Sequence, residues 1–532
     1  MLLRRVISMF ASRDDQKGVV IIVRMQRPNV LFILSDQHNA KVLGHKGHPD
    51  VKTPNLDRMA TEGVRFDNAI TQNPICTPSR MSWLSGQYCH NHGYYGLSGP
   101  NPKGLPTVLG HFRKAGYRAA AIGKIHCPEN WVENDSDLFH ETCDSSIGGR
   151  SSEYADYLEE KGLTDLEDHV AMQEFGDRGR QTVEGRPSKV SYEDGQEGWS
   201  VRKAIEFMGE CSKDKVPFFA HVSLPKPHQC YTPAKEFWGL YDESKLTLPP
   251  NSDYEMKDKA PHLRQTADGW RTREWQLFDP KTFEAGRLRK LHGYLGSVSH
   301  VDHAVGELLD WLVASDLSEN TIVVYSSDHG DYACEHGIME KAPGICSDAI
   351  TRIPMIWRWA SKFKAGHVAK EIVETVDLAN TLCALSGLDE METVDGKDIS
   401  HLLSGKSGEV RTIGVTEFAW SKSVRKGNFR LVYYPQSMFA DEYPDGFGEL
   451  YDLENDPWEM RNLYSDPDYA NVIHALQQEL TDWLITTTRP ATILPAAKGT
   501  SPQSALHYNN AVNSDGKIHP AEIRQTQHKN YI

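Results

Sequence analysis

The chain has 532 residues, and its 73 acidic residues against 58 Lys and Arg residues give it a formal net charge of −15 at pH 7. This balance argues against non-specific nucleic-acid binding, which requires a basic surface, although a local cationic pocket can still hold an anionic substrate. Apolar residues make up 39% and charged residues 25%, as in ordinary globular chains, and the absence of a run of about 18 apolar residues argues against a membrane-spanning helix.

The first segment, residues 1–26, predicts an N-terminal extension without regular structure. Arg4, Arg5 and Arg13 interrupt its apolar stretches, so it lacks the continuous apolar centre of about 7–15 residues that a secretory signal requires. The chain has only nine cysteines, a low and odd number that is typical of a reducing compartment. We therefore expect a cytoplasmic location, with the periplasm as the alternative.

Apolar runs and helical patterns alternate over residues 27–400, which we take as one catalytic domain. The strand predictions include residues 28–36 and 321–331, both of which end in acidic residues. Alternating strands and helices predict an α/β fold, with a large mixed, mostly parallel sheet sandwiched between helices. The other predicted elements are a helix over 54–63, a helix and a strand within 105–124, a strand over 217–224 and a long helix over 287–313.

Beyond residue 400 the pattern changes, and residues 401–488 predict a smaller C-terminal α+β domain. Residues 414–436 predict a hairpin with its turn at Lys426–Asn428, and residues 470–488 predict an amphipathic helix. Residues 489–532 are a polar tail that we expect to wrap either the body of the protein or a partner subunit. In the second case the protein would be a homo-oligomer.

Two polar segments, residues 127–200 and 244–286, predict loops over the functional site. They contain four tryptophans that are candidates for stacking on sugar rings, although buried packing is the alternative for each. These residues are Trp131, Trp199, Trp270 and Trp275.

Two predicted strands end in potential ligands: Asp36, and Asp328 followed by His329. Because ligands bind beyond the carboxyl ends of strands in open α/β sheets, these side chains can meet there. Carboxylate-rich sites suit Ca²⁺, Mg²⁺ or Mn²⁺. The alternative is that each Asp only bonds nearby backbone N–H groups.

The segment Pro74–Arg80 predicts the start of a helix, with Thr77 as N-cap, Pro78 as first helical residue and Gly86 past the end. Cys76 then lies at a helix N-terminus, where free N–H groups and the helix dipole favour an anion. Arg80 can turn back towards Cys76. The alternative is a capped helix with a buried thiol.

Two motifs resemble the signatures of one known family. Cys76-Thr77-Pro78-Ser79-Arg80 matches the sulfatase signature C-x-P-S-R, and Gly116–His126 is similar to the second signature, G-Y-x-S/T followed by G-K-x-H, with Ala119 in place of Ser or Thr. Over residues 27–485 the chain resembles type I, formylglycine-dependent sulfatases of the alkaline-phosphatase-like superfamily. The resemblance implies that fold.

The resemblance also implies a metal centre and a modified residue. Cys76 corresponds to the residue that a formylglycine-generating enzyme oxidises to Cα-formylglycine, and Asp36, Asp328 and His329 correspond to ligands of Ca²⁺, with Mn²⁺ or Mg²⁺ as alternatives. Residue 76 adds an oxygen ligand. Gln37 stands where many arylsulfatases have a second Asp, so its amide either ligates the ion or supports the ligands without touching it.

The remaining pocket residues are assigned by the same resemblance. Arg80 and Lys124 would hold the modified residue as its alkoxide, and His126 would bond the second hydroxyl of the hydrated aldehyde. His228 corresponds to the acid that protonates the departing alcohol. Lys341 corresponds to the cation that grips the sulfate, with Lys226 as the weaker rival, and His336 is a further candidate without a position. For each of them the alternative is an ordinary surface charge or a structural histidine.

We therefore expect a sulfuric ester hydrolase that releases inorganic sulfate from a sulfated carbohydrate. A hydrated aldehyde would attack sulfur, and the cationic groups would stabilise the transferring group. The alternatives are a phosphonate or phosphate ester hydrolase on the same fold, which the Asp36-Gln37 pair favours, an enzyme similar to arylsulfatase or choline sulfatase, and a non-catalytic sulfate-binding relative.

Overall fold

A computed structural model describes residues 27–102, 104–128, 130–142, 152–166, 185–271, 283–341, 346–360 and 362–489. The predictions made for the N-terminal extension, for the tail beyond residue 489 and for Trp275 fall outside these residues and stay predictions. No helix within the described ranges is long and apolar enough to cross a membrane.

The centre of the molecule is an eight-stranded sheet with the strand order β4-β3-β5-β1-β6-β7-β2-β8. Every pair in it is parallel except the two that β7 makes with β6 and β2. The strands are β1 (Asn29–Asp36), β2 (Val64–Ile70), β3 (Arg118–Gly123), β4 (Leu138–Glu141), β5 (Phe218–Pro227), β6 (Thr321–Ser327), β7 (Met355–Arg358) and β8 (His367–Glu374).

Helices cover both faces of this sheet, and others flank it. They are α1 (Pro54–Glu62), α2 (Cys76–Ser85), α3 (Cys89–His92), α4 (Val108–Lys114), α5 (Glu153–Glu160), α6 (Gln196–Asp214), α7 (Lys235–Trp238), α8 (Pro261–Gly269), α9 (Phe283–Ala314), α10 (Asp348–Thr351), α11 (Asp377–Leu385), α12 (Ser400–Leu403) and α13 (Ala470–Thr487).

The central strand β1 is buried along its whole length. Val30 and Phe32 pack into one core cluster, with Trp83 of α2, and Leu31 and Ile33 pack into another on the opposite face. A strand that is buried on both faces is the expected structure of a continuous apolar run. The prediction of a mostly parallel sheet between helices is therefore confirmed.

A second sheet of four antiparallel strands forms the smaller C-terminal domain, with the order β12-β11-β10-β9. The predicted hairpin is β10 and β11, which pair from Lys426 opposite Phe429. Helix α13 packs on this sheet through an apolar cluster that contains Leu450 and Leu476. The strands are β9 (Gly414–Phe418), β10 (Ser421–Lys426), β11 (Phe429–Tyr433) and β12 (Gly448–Asp452).

The prediction of loops over residues 127–200 and 244–286 is wrong in part, because β4, α5, the start of α6 and α8 lie in these segments. Helix α5 is short and polar, but the Ser152 side chain caps it, and Tyr154 and Leu158 pack against Trp199. Trp199 is therefore a packing residue. Trp131 is also buried, and its indole N–H donates to the Leu105 carbonyl, whereas Trp270 is partly exposed.

Candidate active site

The site begins with two carboxylates at the ends of neighbouring strands. Asp36 is the last residue of β1, and Asp328 directly follows β6, which pairs in parallel with β1. The two side chains therefore meet, although 292 positions separate them, and both are at most 1% exposed. Unpaired charges at this depth would be very costly, so cations or ligands must stabilise them.

Arg80 supplies one such cation to both carboxylates. Its guanidinium donates to Asp36 Oδ2 at 3.0 Å and to Asp328 Oδ2 at 2.9 Å, and it also donates to the Ser223 hydroxyl at 2.8 Å. A planar guanidinium can bridge two carboxylates in this way because its donors are fixed in a fork. Arg80 thereby joins α2 to the ends of β1 and β6.

Helix α2 starts one turn before Arg80, and its first residue is Cys76. The predicted capping by Thr77 is wrong, because the Thr77 hydroxyl donates to the His126 carbonyl instead. The N-cap is Ile75, which makes no side-chain bond. The predicted end is correct, since Gly86 adopts the left-handed conformation with φ 69°. Cys76 is 2% exposed and faces the carboxylates.

Four potential ligands converge on one point. Cys76 Sγ lies 3.3 Å from His329 Nε2 and 3.8 Å from Asp36 Oδ1. His329 Nε2 lies 3.7 Å from Oδ1 of both Asp36 and Asp328, and ligand atoms of all four residues lie within 4.8 Å of one another. His329 Nδ1 is 2.9 Å from the Gly330 carbonyl oxygen, and this contact leaves Nε2 available to a metal ion.

Lys124 and His126, both from the second motif, also face this point. Lys124 Nζ lies 2.7 Å from Asp36 Oδ2, and the His126 side chain lies close enough to Cys76 to lower the pKa of its thiol. Glu141, at the end of β4, accepts the backbone N–H of His126 at 2.9 Å. The second motif therefore places a cation beside Asp36 and an imidazole beside Cys76.

Gln37 and Lys341 form a linked pair at the edge of the cluster. Lys341 Nζ donates to Gln37 Oε1 at 2.8 Å, and Gln37 Nε2 donates to Asp331 Oδ2 at 2.6 Å. The amide oxygen thus already accepts from an ammonium, and its orientation is fixed by Asp331. The sequence alone does not point to Asp331, because nothing local distinguishes it from any other acid after a strand.

His228 directly follows β5 and lies near Cys76, close enough for the two groups to influence each other's ionisation. Lys226, the rival to Lys341, instead lies beside Glu197, whose carboxylate accepts its backbone N–H at 3.0 Å. His336 is buried next to Asn251 and Glu459, at 3.3 Å and 4.0 Å from Nε2, so the structure does not bring it into the cluster.

The charges around Cys76 shift several pKa values. Burial alone would raise the pKa of Cys76, but Lys341, Lys124 and His329 lower it well below its usual value. Burial also opposes ionisation of Asp36, yet Lys124, His228 and Arg80 keep its pKa low. Burial, with help from Lys124 and Lys341, lowers the pKa of His228 to about 3. The cluster therefore stabilises negative charge at position 76.

The C-terminal domain supports the segment that leads into α2. Strand β9 contacts this segment directly: the Glu417 N–H donates to the Gln72 carbonyl at 2.7 Å, and the Thr416 hydroxyl donates to the Thr71 carbonyl at 2.7 Å. Asn73 Nδ2 donates back to the Glu417 carbonyl at 2.8 Å. Three successive residues before Cys76 are thus held by the smaller domain.

Comparison with known proteins decides the family to which this site belongs. A family model described as Sulfatase matches residues 28–388, which include every residue of the cluster. The chain belongs to the sulfatase family. A second model, described as N-sulphoglucosamine sulphohydrolase, C-terminal, matches residues 334–485 of this sulfatase.

Named relatives extend over most of this sulfatase. An arylsulfatase of Clostridium perfringens is 28% identical, with 85% of this chain and 94% of the relative covered. An N-acetylglucosamine-6-O-sulfatase of Bacteroides thetaiotaomicron is 25% identical, with 86% of each chain covered.

Solved structures share the fold of this sulfatase. One, in complex with its substrate D-glucosamine-2-N,6-O-disulfate, superimposes with a TM-score of 0.69 at 21% identity, over 86% of this chain and 97% of the other. The phosphonate monoester hydrolase of Agrobacterium radiobacter gives 0.68 at 20% identity, over 86% and 95%.

Proposed function

We propose that this sulfatase hydrolyses sulfate esters of carbohydrates and releases inorganic sulfate. The observation that carries the proposal is the convergence of Asp36, Asp328, His329 and Cys76 within 4.8 Å, bordered by three cations. The substrate class is supported by two relatives: the N-acetylglucosamine-6-O-sulfatase and the structure that holds a glucosamine disulfate.

The donor set fits a divalent cation. Two buried carboxylates and one imidazole nitrogen suit Ca²⁺, Mg²⁺ or Mn²⁺, and Cys76 Sγ occupies the position where a formylglycine oxygen would complete the set. We propose Ca²⁺ first. Such an ion would act as a Lewis acid towards an oxygen at residue 76 and towards the sulfate. Because Gln37 Oε1 accepts from Lys341, we assign Gln37 to holding Lys341 rather than the ion.

Each remaining residue has a role that its position supports. Lys124 and Arg80 favour an anionic oxygen at residue 76, and the His126 side chain lies beside this residue, where it can bond a second hydroxyl. Lys341, fixed by Gln37, is placed to pair with a sulfate oxygen. Burial, Lys124 and Lys341 lower the pKa of His228. The negative charge of a bound sulfate ester would offset the two lysines, so that the His228 imidazole can carry a proton and deliver it to the departing alcohol oxygen.

The nucleophile requires oxidation of Cys76 by a formylglycine-generating enzyme, because a thiol at this position lacks the two hydroxyls of the hydrated aldehyde. Mass spectrometry of the tryptic peptide that contains residue 76 tests this step in protein from the native host. We expect the mass of the aldehyde or its hydrate. An unmodified thiol would contradict the assignment and favour a sulfate-binding role.

Phosphonate ester hydrolysis is the second candidate, supported by the Asp36-Gln37 pair and by the phosphonate monoester hydrolase fold. Comparing kcat/KM for 4-nitrophenyl sulfate and for a phenylphosphonate monoester distinguishes the two. We expect the sulfate ester to be the better substrate by about 10-fold or more, which corresponds to about 1.4 kcal/mol of transition-state stabilisation. Dominant turnover of the phosphonate ester would overturn the proposal.

A further inference from the structure

Asp331 is a buried carboxylate beside the active site that has no part in the proposed chemistry. Its side chain is 0% exposed, and each of its oxygens accepts two hydrogen bonds. Oδ2 accepts from Gln37 Nε2 at 2.6 Å and from the Tyr231 hydroxyl at 2.8 Å. Oδ1 accepts the backbone N–H groups of Ala333 at 2.7 Å and of Glu340 at 3.1 Å. Four donors from three parts of the chain therefore hold this carboxylate in one orientation.

These bonds join the two segments that carry Gln37 and Lys341. Gln37 directly follows β1, and Glu340 is the neighbour of Lys341 at the end of a loop that begins at Asp331. The loop is closed by a backbone bond from the Tyr332 N–H to the Glu340 carbonyl at 3.0 Å. Asp331 thus binds the side chain of Gln37 and the backbone next to Lys341, and Lys341 Nζ donates to Gln37 Oε1 at 2.8 Å.

Both segments contain a residue in an unfavourable backbone conformation at the point where Asp331 binds. Gln37 has φ 70° and Glu340 has φ 67°, and both values lie in the left-handed region that residues other than glycine seldom adopt. Such conformations persist only where surrounding contacts enforce them, and they cluster at functional sites. Asp331 supplies one of these contacts to each residue, so it helps to fix the path of both segments.

The charges on either side of Gln37 also fix the orientation of its amide. A carboxylate only accepts hydrogen bonds and an ammonium only donates them. The amide NH2 must therefore face Asp331, and the amide oxygen must face Lys341. A donor in place of the Asp331 oxygen would favour the reversed amide, which would present its NH2 group to the ammonium. Asp331 consequently determines whether Lys341 has an acceptor.

We propose that Asp331 is a positioning residue that acts through Gln37 to hold the Lys341 ammonium where it pairs with a sulfate oxygen. This inference rests on the proposed sulfatase function, which gives Lys341 that role. The ammonium of a lysine lies on a flexible four-carbon stem, so a fixed acceptor reduces the motion that sulfate binding would otherwise have to suppress. Asp331 itself touches neither the sulfate nor the proposed ion.

The first test is Asp331→Asn. Whichever way the new amide lies, its NH2 group meets a donor, either the Gln37 amide or the backbone N–H groups of Ala333 and Glu340. We expect kcat/KM for 4-nitrophenyl sulfate to fall about 10- to 100-fold and the inhibition constant of inorganic sulfate to rise about 10-fold. The control is Asp302→Asn, another buried acid that accepts backbone N–H groups, which should lower stability but change neither constant per folded enzyme.

A double-mutant cycle tests whether Asp331 acts through Lys341. Added to Lys341→Ala, the Asp331→Asn change should lower kcat/KM by less than about 3-fold, because the group that it positions is already absent. Losses that multiply would overturn the proposal. The Ca²⁺ concentration for half-maximal activity should stay near the wild-type value in Asp331→Asn, and a rise of about 10-fold or more would overturn the proposal by placing the effect on the ion.

A reciprocal exchange keeps the test decisive if Asp331→Asn does not fold. Gln37→Glu sets two carboxylates against each other and should lose activity. The double variant Asp331→Asn/Gln37→Glu restores a donor facing an acceptor and still offers Lys341 an oxygen, so it should exceed Gln37→Glu by about 10-fold in kcat/KM. A double variant no better than Gln37→Glu would overturn the role of Asp331. Failure of the wild-type enzyme to hydrolyse any sulfate ester would instead overturn the proposed function.

Discussion

Two buried ionic clusters in this protein differ in how their charges are arranged. In the active site, ligand atoms of Asp36, Asp328, Cys76 and His329 converge on one point. In the second, which we call the interdomain cluster, acids pair directly with cations: Arg430 bonds Glu459, and Arg425 bonds Asp348 at 3.1 Å. The other members of the interdomain cluster are Lys259, Arg352 and Glu449.

Burial and charge alone therefore do not identify a site. The acids of both clusters are buried, and both clusters contain strongly shifted pKa values; Arg430 and Glu459, for example, are each 2% exposed. The interdomain cluster is complete without a ligand, since even the Ser347 hydroxyl donates to Glu459 at 2.7 Å. The active site directs several acceptors at one another, which is the arrangement that a cation requires.

The largest effect is expected from Cys76→Ala. Removing the proposed nucleophile should lower kcat/KM for 4-nitrophenyl sulfate by about 10³-fold or more, with little change in thermal stability. Cys383→Ala, a buried thiol on α11, is the control and should retain activity. If Cys76→Ala kept wild-type turnover, the active-site cluster would be no more catalytic than the interdomain cluster.

Metal removal is expected to have the next largest effect. Exhaustive dialysis against a chelator should abolish most turnover and lower the melting temperature, because Asp36 and Asp328 then repel each other without a ligand. Adding Ca²⁺ should restore both readouts. In Arg430→Met the same Ca²⁺-dependent increase in melting temperature should persist, whereas in Asp36→Asn it should be lost. A Ca²⁺ response retained in Asp36→Asn would place the ion elsewhere.

Breaking the interdomain cluster should change stability rather than chemistry. Arg430→Met leaves Glu459 buried without its cation, so the free energy of unfolding should fall by about 3–5 kcal/mol. Urea unfolding measures this loss, and kcat per folded enzyme at low temperature should stay close to wild type. A selective loss of kcat without loss of stability would show that the two clusters are coupled.

The smallest effect separates two substrates within the active site. His228→Ala should lower kcat for an alkyl sulfate by about 10²-fold, because an alkoxide is a poor leaving group without a proton. For 4-nitrophenyl sulfate the loss should be about 10-fold or less, since nitrophenolate leaves unprotonated. Equal losses for both esters would contradict the role of His228 as the acid.

Much of the fold and of the site could be predicted from the sequence because the signals were local. The apolar run of β1 ends at Asp36. Of the two sulfatase-like motifs, the first contains Cys76 and Arg80, and the second contains Lys124 and His126, so each pair lies within a few residues. Continuous burial on both faces leaves a pattern that a single strand reveals.

The rest depended on contacts between distant residues. Asp331 lies 294 positions from Gln37, and His300, whose Nε2 lies 3.6 Å from Glu197 Oε2, lies on a different helix from Glu197. The sequence around each residue therefore gives no sign of its partner. The antiparallel strand β7 has four residues, too few to show a period. Thr77 followed by Pro78 has the ordinary form of a cap, but a tertiary contact with His126 takes its hydroxyl.

The hold of β9 on Thr71, Gln72 and Asn73 has a consequence for engineering. A shortened chain that stops near residue 400 would lose these backbone and side-chain partners of Thr71, Gln72 and Asn73, which lie three to five residues before Cys76. Replacing the C-terminal domain with that of another enzyme would likewise change the position of Cys76. The two domains are therefore best exchanged, evolved or expressed as one unit.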